Sequence, residues 1–193
     1  DKDSKVSCHY FIKKNGEIIQ MVPDLYNAWH AGVSFWKNDN ALNSKSIGVE
    51  ISNPGHSNGY KNFSKRQINS ISQLSKKLIK KYKISKKNVL GHSDVAPLRK
   101  IDPGEKFPWK QLSDHNLGRW FKEDQKILNI NKKKLTILFF KNLKKIGYRY
   151  FSVNKRSKKD IKIIKSFQKR YLPKNVTGKI DLKTYKISHF LTI

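Results

Sequence analysis

GHSDVAPLRKIDPG, residues 91–104, gathers more chemistry than any other stretch of the chain. His92 and Asp102 bracket a proline-containing loop, and Lys100 stands two residues before the aspartate. The run Asn88-Val-Leu-Gly91 reads as a buried strand ending at His92, which brings two metal-type ligands and a cation to one strand end. A hydrolytic zinc site takes three protein ligands and keeps one position for water, and His with Asp suits zinc when another His completes the set. The spacing equally allows a His and an Asp satisfied separately by loop hydrogen bonds.

Upstream, residues 6–12 (VSCHYFI) and 17–22 (EIIQMV) are β-rich runs around Lys13-Lys14-Asn15-Gly16, whose Asn-Gly pair signals a hairpin. IGVEIS, residues 47–52, reads as a central strand closed by the Asn53-Pro54-Gly55 turn. Ser64 with Gln67 forms a capping-box signature, and Ile68, Ile71, Leu74, Leu78 and Tyr82 then fall on one helical face, predicting a helix over 64–82. Beyond Leu112 the pattern changes to three helices, about 132–146 stopped by Gly147, about 158–172 stopped by Pro173, and about 181–191. The expected organisation is an α/β domain over 1–112, a linker over 113–130 and a small helical domain over 131–193. Its fold class is a mixed central β-sheet flanked by helices, followed by three helices.

Two further positions invite a chemical reading. Glu50 puts a carboxylate in the middle of an apolar strand; if buried there it acquires a raised pKa and becomes a usable general base or acid. A mid-strand Glu also commonly faces solvent. His30 lies between small residues in Ala28-Trp29-His30-Ala31-Gly32, where it could wall a cleft or serve as an ordinary structural histidine.

Composition bounds what these residues can be doing. With 193 residues, 37% hydrophobic and 11% aromatic, the chain is lean but foldable, and two cores are expected. No window approaches eighteen apolar residues and residues 1–20 carry no signal-peptide core, so a soluble chain is expected. The net charge is +28, from 42 basic and 14 acidic residues, and 36 of the basic ones are Lys. A Lys excess makes a diffuse positive field rather than the bidentate forks that read bases, so attraction to an anionic polymer is expected and specific nucleic-acid recognition is not. Residues 117–193 hold 22 of the basic and 4 of the acidic side chains, concentrating the charge downstream. The lone Cys8 excludes an internal disulfide and a thiolate zinc cage.

Taken together, VSCHYFIKKNGEIIQMVPDLYNAWHAGVSFW (6–36), LNSKSIGVEISNPG (42–55) and NVLGHSDVAPLRKIDPGEKFPW (88–109), in that order, closely resemble the zinc-dependent N-acetylmuramoyl-L-alanine amidases of the type 2 amidase family. The resemblance covers about residues 5–112. Downstream, KDIKIIKSFQKRYLPKNVTGKIDLKTYKI (159–187) is similar to a helical peptidoglycan-binding domain, with its FQ pair and its G-x-x-D-x-x-T turn at Gly178, Asp181 and Thr184.

Position by position, the resemblance implies that His92 and Asp102 are two ligands of one zinc ion. It further implies that Glu50 is the catalytic carboxylate and Lys100 the catalytic lysine. His9 aligns with a non-ligand His of the hairpin strand, so the third ligand, a His at the end of an earlier strand, is expected upstream of Asp1. Substrate contacts are expected at His30, Trp29, Asn43 and Lys5, whereas Asn40 and Ala41 stand where cytoplasmic relatives place a basic contact. The implied reaction is hydrolysis of the amide between N-acetylmuramic acid, or its 1,6-anhydro form, and L-Ala of the stem peptide. The alternative is a non-catalytic peptidoglycan-binding protein of the same fold. A monomer in the bacterial envelope, periplasmic or outer-membrane associated, from a parent that could be membrane-anchored, completes the expectation; the cytoplasm is the other compartment left open.

Overall fold

The computed structural model describes residues 6–122 and 134–193. Its sheet has three strands, β1 (Tyr10–Ile12), β2 (Ile18–Gln20) and β3 (Val49–Ile51), in the order β2-β1-β3. β1 and β2 form the expected antiparallel hairpin with Ile12 opposite Ile18, while β1 and β3 run parallel with Phe11 opposite Glu50. Gly16 takes a φ of +91° at the tip, which is why Asn-Gly suits this turn. IGVEIS, expected to be central, pairs on one side only among the described residues, and β1 holds the middle.

The principal helix, α2, spans Lys65–Tyr82. Ser64 caps it by accepting the Gln67 N–H at 3.1 Å, and the Gln67 side chain accepts the Ser64 N–H at 3.0 Å, so the capping box forms as its sequence dictates. Ile68, Ile71, Leu74 and Leu78 are buried and pack with Tyr10, Ile12, Phe107, Trp109, Leu112 and Leu117. Each such burial is worth about 1.5–3 kcal/mol, so this stripe fastens α2 to the sheet.

Short helices α1 (Leu42–Lys45), α3 (His92–Val95) and α4 (Trp109–Asp114) punctuate the loops. The strand expected at 88–92 does not form. Lys86–Asn88 is a single 3-10 turn, and α3 starts at His92 because the Asp94 carboxylate accepts the Gly91 N–H at 2.8 Å and turns the chain inward.

Downstream lie α5 (Leu135–Ile146), α6 (Asp160–Tyr171) and α7 (Leu182–Phe190), close to the expected bounds. Their core joins Phe139, Phe140, Leu143, Ile163, Phe167, Tyr185 and Leu191. The Gln168 side chain, fully buried, fastens α6 to the following turn: it donates to the Lys179 carbonyl at 2.8 Å and to Thr184 Oγ1 at 3.2 Å, and accepts the Gly178 N–H at 2.7 Å. Asp181 caps α7 by accepting the Thr184 N–H. The residues that mark this unit in the sequence are thus its internal fasteners.

The second core also takes in Trp36, Val95 and Ala96 from the first part of the chain. Of the expected linker, residues 113–122 include the end of α4 and the buried Leu117; Trp120 packs against Tyr171. Residues 123–130 lie outside the described residues. No helix among the described residues is long and apolar enough to cross a membrane.

Candidate active site

His92 and Asp102 meet. His92 Nδ1 lies 3.1 Å from Asp102 Oδ2, and the Ser93 N–H donates to the Asp102 carbonyl at 2.9 Å, so main chain and side chains close the 92–102 loop together. His92 Nε2 stands 3.1 Å from the Ala31 carbonyl. Burial alone would raise the Asp102 carboxyl, but the hydrogen bond and charge of His92, with the charge of Lys100, hold it below its ordinary value. Lys100 therefore sits within electrostatic reach of Asp102, and its backbone is tied by a 2.9 Å bond to the Ala96 carbonyl.

Around this pair the loop is braced from two sides. Arg99 donates to the carbonyls of Ala31 at 2.7 Å and Val33 at 3.1 Å, holding the 31–33 segment against His92. On the other side Tyr60 donates to the Pro103 carbonyl at 2.6 Å and accepts the Lys106 N–H at 3.0 Å, and its ring stacks on His56, which bonds Glu105 at 3.0 Å. Burial pushes the Tyr60 hydroxyl up to about 12, with the nearby Glu105 charge adding to it against the Lys106 N–H, so this phenol stays a donor.

His30 is a framework residue in this arrangement. Its Nδ1 lies 2.9 Å from the Ala28 carbonyl and its Nε2 2.9 Å from Ser46 Oγ, so both ring nitrogens are engaged. Burial lowers its pKa, helped by the neighbouring His9 and His92. His9 is likewise occupied, accepting the Gly48 N–H at 3.0 Å through Nδ1 and approaching the Tyr26 carbonyl at 3.0 Å through Nε2.

Glu50 is exposed, the solvent-facing one of the two placements its strand allows, because β3 turns Val49 and Ile51 inward and the intervening side chain outward. Its charge reaches Cys8, whose thiol is raised first by burial and then by Glu50. Trp29 is 52% exposed, and Asn43 spends its carbonyl oxygen on the Ala31 N–H at 2.8 Å. Lys5 lies outside the described residues.

An imidazole nitrogen and a carboxylate oxygen side by side are donors that zinc accepts. Among the described residues no group of three His, Cys, Asp or Glu side chains is placed to hold a metal; His92 and Asp102 are a pair of donors.

Asp94 was not legible as a site residue. It is 1% exposed and receives the Gly91 N–H, the Tyr148 hydroxyl and the Arg170 guanidinium. The available signal is a carboxylate three residues after Gly91 and directly before the apolar pair Val95-Ala96.

Fold and site together describe a loop-borne His-Asp pair beside a small mixed sheet covered by a long helix. Residues 1–105 match the Amidase_2 family, described as N-acetylmuramoyl-L-alanine amidase, and the chain belongs to that family. It is 42% identical over 130 residues to N-acetylmuramoyl-L-alanine amidase AmiD of Escherichia coli, covering 61% of this chain and 47% of that protein. The chain spans about half the length of the curated relatives it matches.

Two solved structures share the fold at greater length. The complex of Escherichia coli AmiD with the substrate anhydro-N-acetylmuramic acid-L-Ala-D-gamma-Glu-L-Lys superposes with a TM-score of 0.82 at 30% identity, over 99% of this chain and 84% of that one. AmpDH3 from Pseudomonas aeruginosa gives a TM-score of 0.85 at 29% identity, over 96% of this chain and 81% of that one. A mixed sheet flanked by helices, with the helical unit following, is the shared architecture.

Proposed function

We propose that the protein is a zinc-dependent amidase that cleaves the bond between N-acetylmuramic acid, or its 1,6-anhydro form, and L-Ala of peptidoglycan stem peptides. The observation that carries this reading is the closure of His92 on Asp102 at 3.1 Å in a chain of this family. Similarity to a structure holding an anhydro-muropeptide supports the substrate class.

In this reading His92 and Asp102 hold the metal, with a further ligand from outside the described residues. A bound Zn2+ lowers the pKa of a water molecule and polarises a carbonyl. Glu50, open to solvent on β3, takes a proton from the attacking water and returns it to the leaving L-Ala amine as the C–N bond breaks. Lys100, whose charge acts on Asp102, stabilises the negative charge that develops on the carbonyl oxygen. Trp29, Asn43, His30 and Lys5 line or frame the approach of the substrate.

The organisation that goes with this activity is a catalytic domain over 1–112, a linker over 113–130 and a wall-docking helical domain over 131–193. The compartment that goes with it is the bacterial envelope, with the parent chain anchored or free in the periplasm and the protein monomeric. A non-catalytic peptidoglycan binder is the second reading, favoured by the two-donor set among the described residues.

One experiment separates them. Zinc content and turnover of an anhydro-N-acetylmuramyl tripeptide are measured for the protein and for His92→Ala and Asp102→Ala. Hydrolysis with release of the free peptide, lost together with zinc in both variants, is the expected result; muropeptide binding without any hydrolysis at full zinc loading would replace the amidase with the binder.

A further inference from the structure

The turn that carries His92 is held from the far end of the chain. Arg170, on α6, reaches the Asp94 carboxylate with one guanidinium nitrogen and the Val89 carbonyl at 2.9 Å with another, bracketing the six-residue span 89–94 in which His92 lies. Its planar group lies over the Trp109 ring at 3.9 Å. Four residues earlier on the same helix, Ser166 donates to the Ser93 carbonyl at 2.6 Å, and a turn before that Lys162 donates to the Leu98 carbonyl at 3.2 Å. Tyr148, in the loop after α5, also donates to Asp94, which takes the Gly91 N–H as its third donor.

Asp94 and Arg170 are 1% and 4% exposed, and burying such a pair carries a solvation penalty that only good geometry offsets. Through Lys162, Ser166 and Arg170, α6 reaches residues 89–98, one strip of the candidate site. By contrast, α7 makes no hydrogen bond to residues 89–105 among the described residues.

We propose that α6 is a positioning element of the amidase site, with Arg170 acting through Asp94, and Ser166 through the Ser93 carbonyl, to set the backbone from which His92 reaches Asp102. The metal-binding part of this proposal rests on the zinc reading given above; the backbone part does not. The helical unit is then a component of the catalytic centre as well as a wall-docking unit. Arg170 and Ser166 touch neither substrate nor metal.

The test uses the full chain and four variants. Arg170→Met removes the fork, Arg170→Lys keeps a charge without it, Ser166→Ala removes one hydroxyl, and Leu191→Ala loosens the same helical core from the residue that ends α7. Amide hydrogen exchange at Gly91, Ser93 and Ala96, zinc affinity by competition with a chromophoric chelator, and the melting temperature are read for each.

Arg170→Met is expected to weaken zinc about tenfold or more, as loss of a residue supporting a ligand does, and to speed exchange at Gly91 and Ser93. Arg170→Lys recovers part of both, and Ser166→Ala shows a smaller loss in the same direction. Leu191→Ala lowers the melting temperature while leaving both site readouts within about twofold. Equal site effects from Leu191→Ala and Arg170→Met at matched melting temperature would overturn the proposal, reducing α6 to general support.

If Arg170→Met does not fold, Ser166→Ala against Leu191→Ala decides by the same comparison. If the unsubstituted protein takes up no zinc, the metal reading fails by itself, and the exchange rates still decide whether α6 sets the turn.

Discussion

A side chain on Gly48 would stand inside the ring of His30: an added Cβ would meet His30 Cγ at 2.3 Å and Cδ2 at 2.5 Å. The glycine is required here by space, since its N–H and carbonyl are also both engaged by His9, at 3.0 Å each. Gly48→Ala must therefore push His30 from the Ala28 carbonyl and Ser46 or move β3 off β1. A loss of about 1–3 kcal/mol is expected, the usual cost of overpacking a buried site. Urea unfolding monitored by tryptophan fluorescence reads it; an unchanged midpoint would mean that the 28–32 segment yields freely.

Asp24 gives the fold an acid limit. Burial would raise its carboxyl, but hydrogen bonds from Tyr10 and Tyr82 and the Lys81 ammonium bring it down to about 2. A carboxylate whose folded pKa lies below its unfolded value of about 3.9 contributes stability that is fully present above that value. The contribution disappears as pH falls from about 4 towards 2. Because Lys81 is exposed, the contribution is discounted to about 1 kcal/mol. Asp24→Asn should lower stability at pH 6 and leave it little changed at pH 2, so the variant and the parent converge on acidification. Parallel stability curves over that range would contradict the assignment.

Glu50→Gln keeps the shape of β3 and removes a proton carrier. Turnover of a muropeptide is expected to fall by about 100-fold or more, with zinc content unchanged. Retention of a tenth of the activity would take Glu50 out of the mechanism.

Gln168→Leu is nearly isosteric and leaves the Gly178 N–H and the Lys179 carbonyl without a buried partner. Each such group costs about 1–3 kcal/mol, which makes this one of the most damaging single changes in the helical unit. Calorimetry should show a clearly lowered melting temperature; a shift of under a degree would mean that water replaces the amide.

Peptidoglycan binding should outlast screening. The protein carries +28, so part of its adhesion to an anionic wall is Coulombic and weakens as the Debye length falls below about 8 Å above 0.15 M salt. At 0.5 M salt it should still sediment with insoluble peptidoglycan while a charge-matched unrelated protein stays in solution. Co-elution of the two would reduce the helical unit to a sticky surface.

Local signals in the sequence were read correctly where the physics is local. The Ser64-Gln67 box and the Asn15-Gly16 tip each need only a few neighbouring residues, and both form. The apolar run IGVEIS leaves Glu50 either placement, buried or facing solvent; period-two alternation sets it on the opposite face from Val49 and Ile51, and it faces solvent. The strand expected at 88–92 failed because Asp94 captures the Gly91 N–H, a turn-making bond that apolarity alone does not announce. The His92–Asp102 closure, with the Ser93 N–H bond to Asp102, falls inside the single stretch 91–104 and is legible there, whereas the bracing of Asp94 rests on residues 54 and 76 positions downstream, pairings that no local window of sequence contains.

The indole of Trp36 sits in one buried cluster with Phe139, Tyr148 and Leu191, in a slot kept open by Gly147, where an added Cβ would fall 2.6 Å from the ring. A recombination event that grafted residues 134–193 onto another member of this family would carry the slot without its indole. The donor helices would then meet a foreign residue at the position of Trp36. For chimeras, the unit that has to travel together is a scattered set of positions on both sides of residues 123–133, and a crossover placed in that stretch succeeds only where the recipient already holds the matching half.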